Sequence, residues 1–408
     1  MPRLRRMTST ATTGPLQGLR ILDISTVIAG PWSTTLLADL GAEVLKVEMP
    51  GSGDALRALP PYKEGVPLWW KVANRNKRGI TLDLRREEGR ALLGQLLPDY
   101  DVLVENFRPG TLDGWGITRE WLHGIRPSLT ILRVTGFGQT GPYRNRPGFA
   151  RVFEAMTGFT NICGEPDGTP LHLGFPVADA VAGLFGALGI LSALYRQQRS
   201  GEAVGQEIDC SLMESMFRVL DFLPIEYDQL GVVRQRSGNI SQYAAPGNVY
   251  RTRDGRWASI AASTQRIYER LCAALGRADL ADDPRFVTNP LRVAHRAELD
   301  AILAGEIAMH DLDALGVLLE KNEVGFSPIY DIADIFRDAH FAARKAIVDV
   351  PDEDFGSVRM QSVVPVFSQT PGAVRTSGPS LGQHNADVFA QLGLTAAQIG
   401  GLREAGVI

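Results

Sequence analysis

Cysteine is scarce. The 408 residues hold three, Cys163, Cys210 and Cys272, far apart and with no CxxC pair. An odd, scattered set excludes a disulfide framework and a cysteine-ligated zinc site and reads as reduced thiols. The six histidines, His123, His172, His295, His310, His340 and His384, form no HExxH or other metal-spaced pair, so no metal is expected. An excess of either charge is also missing. The formal net charge is -4 and the pI about 5.9, which argues against a general nucleic-acid binder. There is no GK[ST] phosphate loop and no GxSxG nucleophile elbow. No uninterrupted apolar run reaches the roughly 18 residues of a membrane span. The nearest, 171–195, contains Pro176 and Asp179. The opening MPRLRRMTSTATTGP has no apolar h-region, so residues 1–15 read as a disordered leader and not a secretory signal. A cytoplasmic protein with no membrane and no nucleic-acid partner is expected.

What is present is ordinary globular composition, 44% hydrophobic and 22% charged, over a length suited to two or three domains. Strand and helix patterns alternate. LRILDI (19–24) reads as a strand, and Pro31 as the first residue of the helix PWSTTLLADLG. AEVLKVE (42–48), GITLDL (79–84), DVLVE (101–105), LTILRV (129–134) and Gln206–Cys210 read as further strands. Strand–helix–strand units of this kind make a parallel α/β sheet. The first turn, STVIAGP, has one glycine, so the GxGxxG turn of a dinucleotide site is absent although Glu48 stands where a ribose-binding acid would. Near Tyr227 the texture changes. NVYRTRDGRWASIAA reads as a hairpin, helices follow, and a small α+β domain is expected at 227–325. The large domain would span 16–226, and 326–408 would return to it.

Two stretches bear on chemistry. NRNKRGITLDLRREEG carries Arg75, Lys77, Arg78, Arg85 and Arg86, either a solvated charged turn or a phosphate-binding surface. LHLGFPVADAVAGLFGALGIL (171–191) puts Gly183, Gly186 and Gly189 three apart, on a helix face where another backbone can approach. A helix starting after Pro176 would have Asp179 in its first turn, near free N–H groups. Asp179 is then either a helix-start carboxylate without chemistry or a held nucleophile.

In this order ILDISTVIAGPWSTTLLADLGAEVLKVE, NRNKRGITLDL, VENFRPG, TGFGQTGPY, FPVADAVAGLFGALGILSALY and LGQHNADV resemble the class III CoA-transferases, the group of formyl-CoA transferase, L-carnitine CoA-transferase and the bile-acid-inducible acyl-CoA transferases. The resemblance implies a Rossmann-like large domain, a smaller inserted domain and an interlocked homodimer. It places the nucleophile on Asp179, with aspartyl anhydride and aspartyl–CoA thioester intermediates. It places coenzyme A contacts on Ile28, Ala29, Leu82, Arg85, Asn106, Phe107, Arg108, Arg151 and Phe153. Acyl-CoA and a small carboxylic acid are the substrates, and no tightly bound cofactor is implied. The glycine-rich loop of the family falls on Asn239–Ala245, a candidate source of oxyanion donors. This chain departs from formyl-CoA transferase at Met49 and Gly114, where that enzyme has arginines, at Phe153, where it has tyrosine, and in the bulkier 239–245 loop. A larger acid is expected, a dicarboxylate with succinyl-CoA as donor. Two alternatives stand beside this. The related α-methylacyl-CoA racemases carry a His-Asp pair where Phe149-Ala150 stands here, and a coenzyme A binder without turnover would need no Asp179.

Overall fold

The computed structural model describes residues 13–408, so the expected leader falls outside the described residues except for its last three. The contacts divide the chain into two units. The first contains 172–229, 342–408 and everything described up to Phe159; the second contains Thr160–Leu171 and Leu230–Phe341.

The first unit is α/β. Its strands β1 (Arg20–Asp23), β2 (Glu43–Glu48), β3 (Lys77–Thr81), β4 (Val102–Glu105), β5 (Thr130–Thr135) and β6 (Glu207–Ser211) pair in parallel in the order β3-β2-β1-β4-β5-β6. That is a doubly wound order, and its direction reverses between β1 and β4. Ile21 lies opposite both Val44 and Val102, so the central strand is apolar on both sides. Helices α1 (Ala29–Asp39), α2 (Glu87–Leu96), α3 (Ala150–Met156), α4 (Val177–Ser200) and α5 (Leu212–Arg218) follow these strands or pack on them. β3 begins at Lys77, two residues before the GITLDL pattern, because the Lys77 ammonium is buried on Asp23 at 2.9 Å. α1 likewise starts two residues before Pro31, closed by Trp32 N–H on Ile28 O at 2.7 Å.

The second unit holds an antiparallel sheet, with β7 (Gly247–Arg251) and β8 (Trp257–Ala261) as the hairpin and β9 (Gly325–Pro328) as its third strand. Helices α6 (Gln265–Ala274), α7 (Arg296–Ile307) and α8 (Leu312–Lys321) bury Tyr268, Leu271, Leu299, Leu303, Leu315 and Leu319 in its core. The unit is larger than 227–325. β9 runs past 325, and Thr160–Leu171 joins through the Gly238 N–H on Gly164 O at 2.9 Å.

The chain then returns to the first unit through a hairpin of β10 (Ile347–Asp352) and β11 (Gly356–Gln361). α9 (Asn385–Gln391) and α10 (Ala396–Glu404) follow. This segment covers the open edge β3. Asn385 Oδ1 accepts from Thr81 N–H at 2.9 Å, and Asp83 N–H donates to Val407 O at 2.8 Å. An edge so occupied cannot template pairing with another chain.

The placement that matters most for function is α4 against α1. A Cβ on Gly183 would stand 3.0 Å from Trp32 Cβ and 3.2 Å from Ala29 O, and one on Gly186 would collide with Ser33 Oγ. By length and composition α4 could cross a membrane, yet its small-residue face, Ala178, Ala182, Gly183, Gly186 and Ala187, is buried here in the core. Gly183→Val should therefore lower stability by about 2 kcal/mol through overpacking, a fall of several degrees in Tm. In the control Gly305→Ala, at a helical position with open space around it, the smaller unfolded-state entropy should raise stability by about 0.5 kcal/mol. Thermal unfolding followed by circular dichroism checks both, and an unchanged Tm in Gly183→Val would contradict the close approach.

Candidate active site

The crevice of a doubly wound sheet opens at the carboxyl ends of the strands where the order reverses, here β1 and β4. Two predicted groups of residues meet there. The Asn106 side chain accepts from Thr26 N–H and donates to Thr26 O, each at 2.7 Å, tying the loop after β4 to the loop after β1. The β1 loop is held tightly. Ser25 N–H goes to Asp23 at 3.0 Å, and Val27 N–H goes to Asp54 at 2.9 Å. Val27 takes φ +65°, a left-handed conformation that a β-branched residue adopts only under constraint.

The constraint is a buried charge cluster. Lys77 and Lys46 lie 2.9 and 3.7 Å from Asp23, and Lys46 lies 3.2 Å from Asp54. Burial alone would raise the pKa of Asp23, but Lys46 and Lys77 hold it well below the usual carboxylate range. Burial pushes Lys77 down to about 8, offset only in part by Asp23. Arg75 is likewise buried, forked onto Asp39 with its Nη2 at 2.6 Å. Arg75 and Lys77 are thus structural ions, not a phosphate surface. Leaving one partner of such a buried pair alone costs several kcal/mol, about 3–5. Glu48, the apparent ribose-binding acid, is bound by Arg57 at 2.7 Å and Asp54 N–H at 3.0 Å.

The predicted coenzyme A contacts fall into two sets. Ile28, Ala29, Leu82 and Phe153 have buried side chains. Ile28 packs with Leu56 and Trp70, and Leu82 lies in the core under β3. The Phe153 ring meets Phe137 edge-on at 5.0 Å and fills the space beside Gly136 and Gly148, where a Cβ would strike it. With these four side chains packed inside the protein, a coenzyme A contact from them would come through backbone. Arg85, Arg108 and Arg151 are exposed. Arg85 is forked onto Asp83 at 2.8 Å and touches Met49 Sδ at 3.4 Å, while the side chains of Arg108 and Arg151 have no hydrogen bond or ion pair among the described residues. Phe107, half-buried, meets Trp115 edge-on at 5.0 Å.

Asp179 stands at the third position of α4, half-buried, with no hydrogen bond or ion pair among the described residues. Moving back along α4 follows α1 toward its start. Gly186 faces Ser33 and Gly183 faces Ala29 and Trp32. Asp179, one turn earlier on the same face, comes level with the loop after β1. Phe175, edge-on to Trp32 at 5.8 Å, fixes the entry to the helix.

Sequence reasoning missed one group. Glu154 on α3 is fully buried and accepts from Val177 N–H, the first helical N–H of α4, at 3.1 Å. His172 Nδ1 lies 3.1 Å from its other oxygen. A lone acid inside the apolar pattern of ARVFEAM was the available signal. Burial, and secondarily the charge of Glu154, push Asp179 up to about 7. A carboxyl shifted this far without a cation beside it is a marker of a reactive site.

The Asn239–Ala245 loop belongs to the second unit. Its end is pinned by Asn289, which takes Ala245 N–H at 3.1 Å, and by Arg292, whose Nε donates to Ala245 O at 2.8 Å.

Comparison with known proteins gives the family and the fold. The family described as CoA-transferase family III matches residues 16–385. The succinyl-CoA–D-citramalate CoA-transferase of Chloroflexus aurantiacus is 44% identical over 404 residues, 98% of this chain and 100% of that one. The succinyl-CoA–L-malate CoA-transferase beta subunit of the same organism is 42% identical over 407 residues, again 98% and 100%. The crystal structure of a CaiB/BaiF family protein from Brucella suis is 36% identical with a TM-score of 0.84, covering 93% of this chain and 100% of that one. The chain belongs to CoA-transferase family III and is an enzyme of the CoA-transferase type.

Proposed function

We propose that this enzyme moves coenzyme A from succinyl-CoA to a short hydroxy-dicarboxylic acid, with Asp179 as the covalent relay. The observation that carries the reading is the unpaired, half-buried Asp179 carboxylate beside the carboxyl-edge crevice. The donor and acceptor class rest on the two Chloroflexus relatives, named for succinyl-CoA with citramalate or malate.

An Asp179 oxygen attacks the thioester carbonyl carbon. The C–S bond breaks, leaving an acyl–aspartyl anhydride and the coenzyme A thiolate. The thiolate attacks the Asp179 acyl carbon, the anhydride C–O bond breaks, and succinate leaves. An acceptor carboxylate then attacks the aspartyl–CoA thioester, releasing thiolate and forming a second anhydride. Thiolate attack on the acceptor carbonyl yields the new acyl-CoA and restores Asp179. Splitting the exchange this way replaces one hard step by several easier ones. Each attack builds an oxyanion, which backbone N–H donors aimed at the reacting carbonyl would stabilise. Arg108, Arg151 and the outer face of Arg85 are the proposed partners of the coenzyme A phosphates.

A homodimer is part of the proposal. The outer face of α4 leaves Leu184 and Leu188 each 56% exposed and Tyr195 65% exposed, an apolar stripe at helical spacing that a second copy would cover. Cys163, Cys210 and Cys272, none of them in a disulfide, suit a cytoplasmic enzyme.

The covalent step is checked by incubating the protein with succinyl-CoA, trapping with hydroxylamine and weighing the peptide that contains Asp179. A modified Asp179 is expected, and in Asp179→Ala exchange should fall by about a thousandfold or more while coenzyme A still binds. Exchange that survives in Asp179→Ala would end the proposal.

A second expectation concerns pH. With a pKa near 7, the Asp179 carboxylate fraction, and so kcat/KM, should fall about tenfold from pH 8 to pH 6. Glu154→Gln keeps an acceptor for Val177 N–H but removes the like charge, so the midpoint should move to lower pH. A midpoint that stays or rises would show that the Glu154 charge does not act on Asp179.

A further inference from the structure

Two motifs of the sequence, NRNKRG and LGQHN, find no place in the mechanism, and the fold brings them together. They line a cavity of about 1080 Å³ beside the amino-terminal ends of β1, β2 and β3, the edge opposite the crevice. All of its lining residues belong to the first unit.

Most cations on its wall are engaged. Lys71 is held by Asp352 at 2.9 Å and Asp354 at 2.5 Å, and Arg20 by Glu43 at 3.6 Å. Arg78 is the exception. It is half-buried on β3, and its guanidinium makes no hydrogen bond or ion pair with any described residue. Tyr100, 3% exposed, lines the same cavity, and its hydroxyl has no partner among the described residues. His384 supplies a third donor. Its Nδ1 accepts from Gly79 N–H at 3.0 Å, which leaves Nε2 as the protonated nitrogen of the neutral ring. Burial and the Arg78 charge hold His384 below its ordinary pKa, so the ring stays neutral and directional near pH 7. Half-buried guanidinium groups are normally paired, because five fixed donors are costly to leave unsatisfied. A guanidinium, a phenol and an N–H without acceptors, on one cavity wall, match the planar oxygens of a carboxylate.

The rest of the wall limits what can enter. Glu43, Glu353 and Asp387 also line the cavity. Three carboxylates repel a polyanion such as a nucleotide diphosphate, and they accept hydrogen bonds from hydroxyl or ammonium groups. The volume suits a small metabolite, for which pockets of roughly 300–1,000 Å³ are usual.

We infer that this cavity is a second ligand site, separate from the transfer site, which binds a small hydroxy- or amino-carboxylate through Arg78, Tyr100 and His384. The inference does not rest on the proposed transfer chemistry.

The test is calorimetric titration of the full-length protein, saturated with coenzyme A, with malate, glutamate, succinate and inorganic phosphate in turn. Malate or glutamate should bind, and Arg78→Gln should weaken that binding by about tenfold or more. Tyr100→Phe, which removes one hydroxyl and little else, should weaken it by about threefold. Asp179→Ala should leave it unchanged, which separates this site from the transfer site. If Arg78→Gln does not fold, Tyr100→Phe decides alone. Absence of binding by all four probes would overturn the inference. So would binding indifferent to Arg78→Gln and Tyr100→Phe, or binding of phosphate alone.

Discussion

The close approach of α4 to α1 is the constraint on which the candidate site depends. It is possible only because Gly183 and Gly186 offer no Cβ at the contact; the first would press on Trp32 and the Ala29 carbonyl, the second on Ser33. Two helices at this separation gain dispersion along their length and fix each other's axial position. The axial position is what counts. Asp179 lies one turn ahead of Gly183, and α1 begins where the β1 loop ends, so the contact sets the carboxylate level with the crevice. A bulkier residue at 183 would separate the helices and carry Asp179 with them.

The sheet order is that of dinucleotide-binding proteins, yet the β1 loop is built on a different principle. In the GxGxxG turn, glycines free the backbone N–H groups to face a pyrophosphate. Here those groups are already taken: Ser25 N–H by Asp23, Thr26 N–H by Asn106, Val27 N–H by Asp54. Side-chain carboxylates and an amide do inside the protein what a ligand phosphate does elsewhere. Their charge is balanced by Lys46 and Lys77, which is why two lysines can sit fully buried in adjacent strands. The left-handed Val27 is stable because its N–H is fixed from outside the loop.

Patterns of period and punctuation made the alternating strands, the late hairpin and the start of α4 legible in the sequence, because each depends on residues near one another along the chain. Pairing between remote residues was not legible. Arg75 and Lys77 read from sequence as a solvated turn or a phosphate surface, because the partners that bury them, Asp39 and Asp23, lie 36 and 54 positions away. The packing of Phe153 is hidden in the sequence, because only the fold brings Gly136 and Gly148 against its ring. The boundary of the second unit failed at 325 for the same reason, since β9 is short and gains its identity from pairing with β8. Asp179 is legible in the sequence as a first-turn carboxylate of α4, but the neighbour that shifts its pKa is not, because Glu154 lies on a separate helix.

That tuning follows from a division of labour between two carboxyls at one helix start. The positive end of a helix favours one anion close to its free N–H groups. Glu154 takes that position from outside, on Val177 N–H. Asp179, inside the first turn, receives no side-chain hydrogen bond; its burial first, and the Glu154 charge second, raise its pKa to about 7. A carboxylate of ordinary acidity is a poor nucleophile, and one paired with arginine is poorer still, since its lone pairs are engaged. Raising the pKa only as far as neutrality keeps a working fraction ionised while making that fraction more reactive. The contrast with Glu105 makes the point. Burial raises it to about 7 as well, but Arg133 lies 3.2 Å from it and Phe107 N–H 2.7 Å. Glu105 and Asp179 share a shifted pKa, and of the two only the half-buried Asp179 keeps its lone pairs free, which is what the proposed attack on a thioester requires.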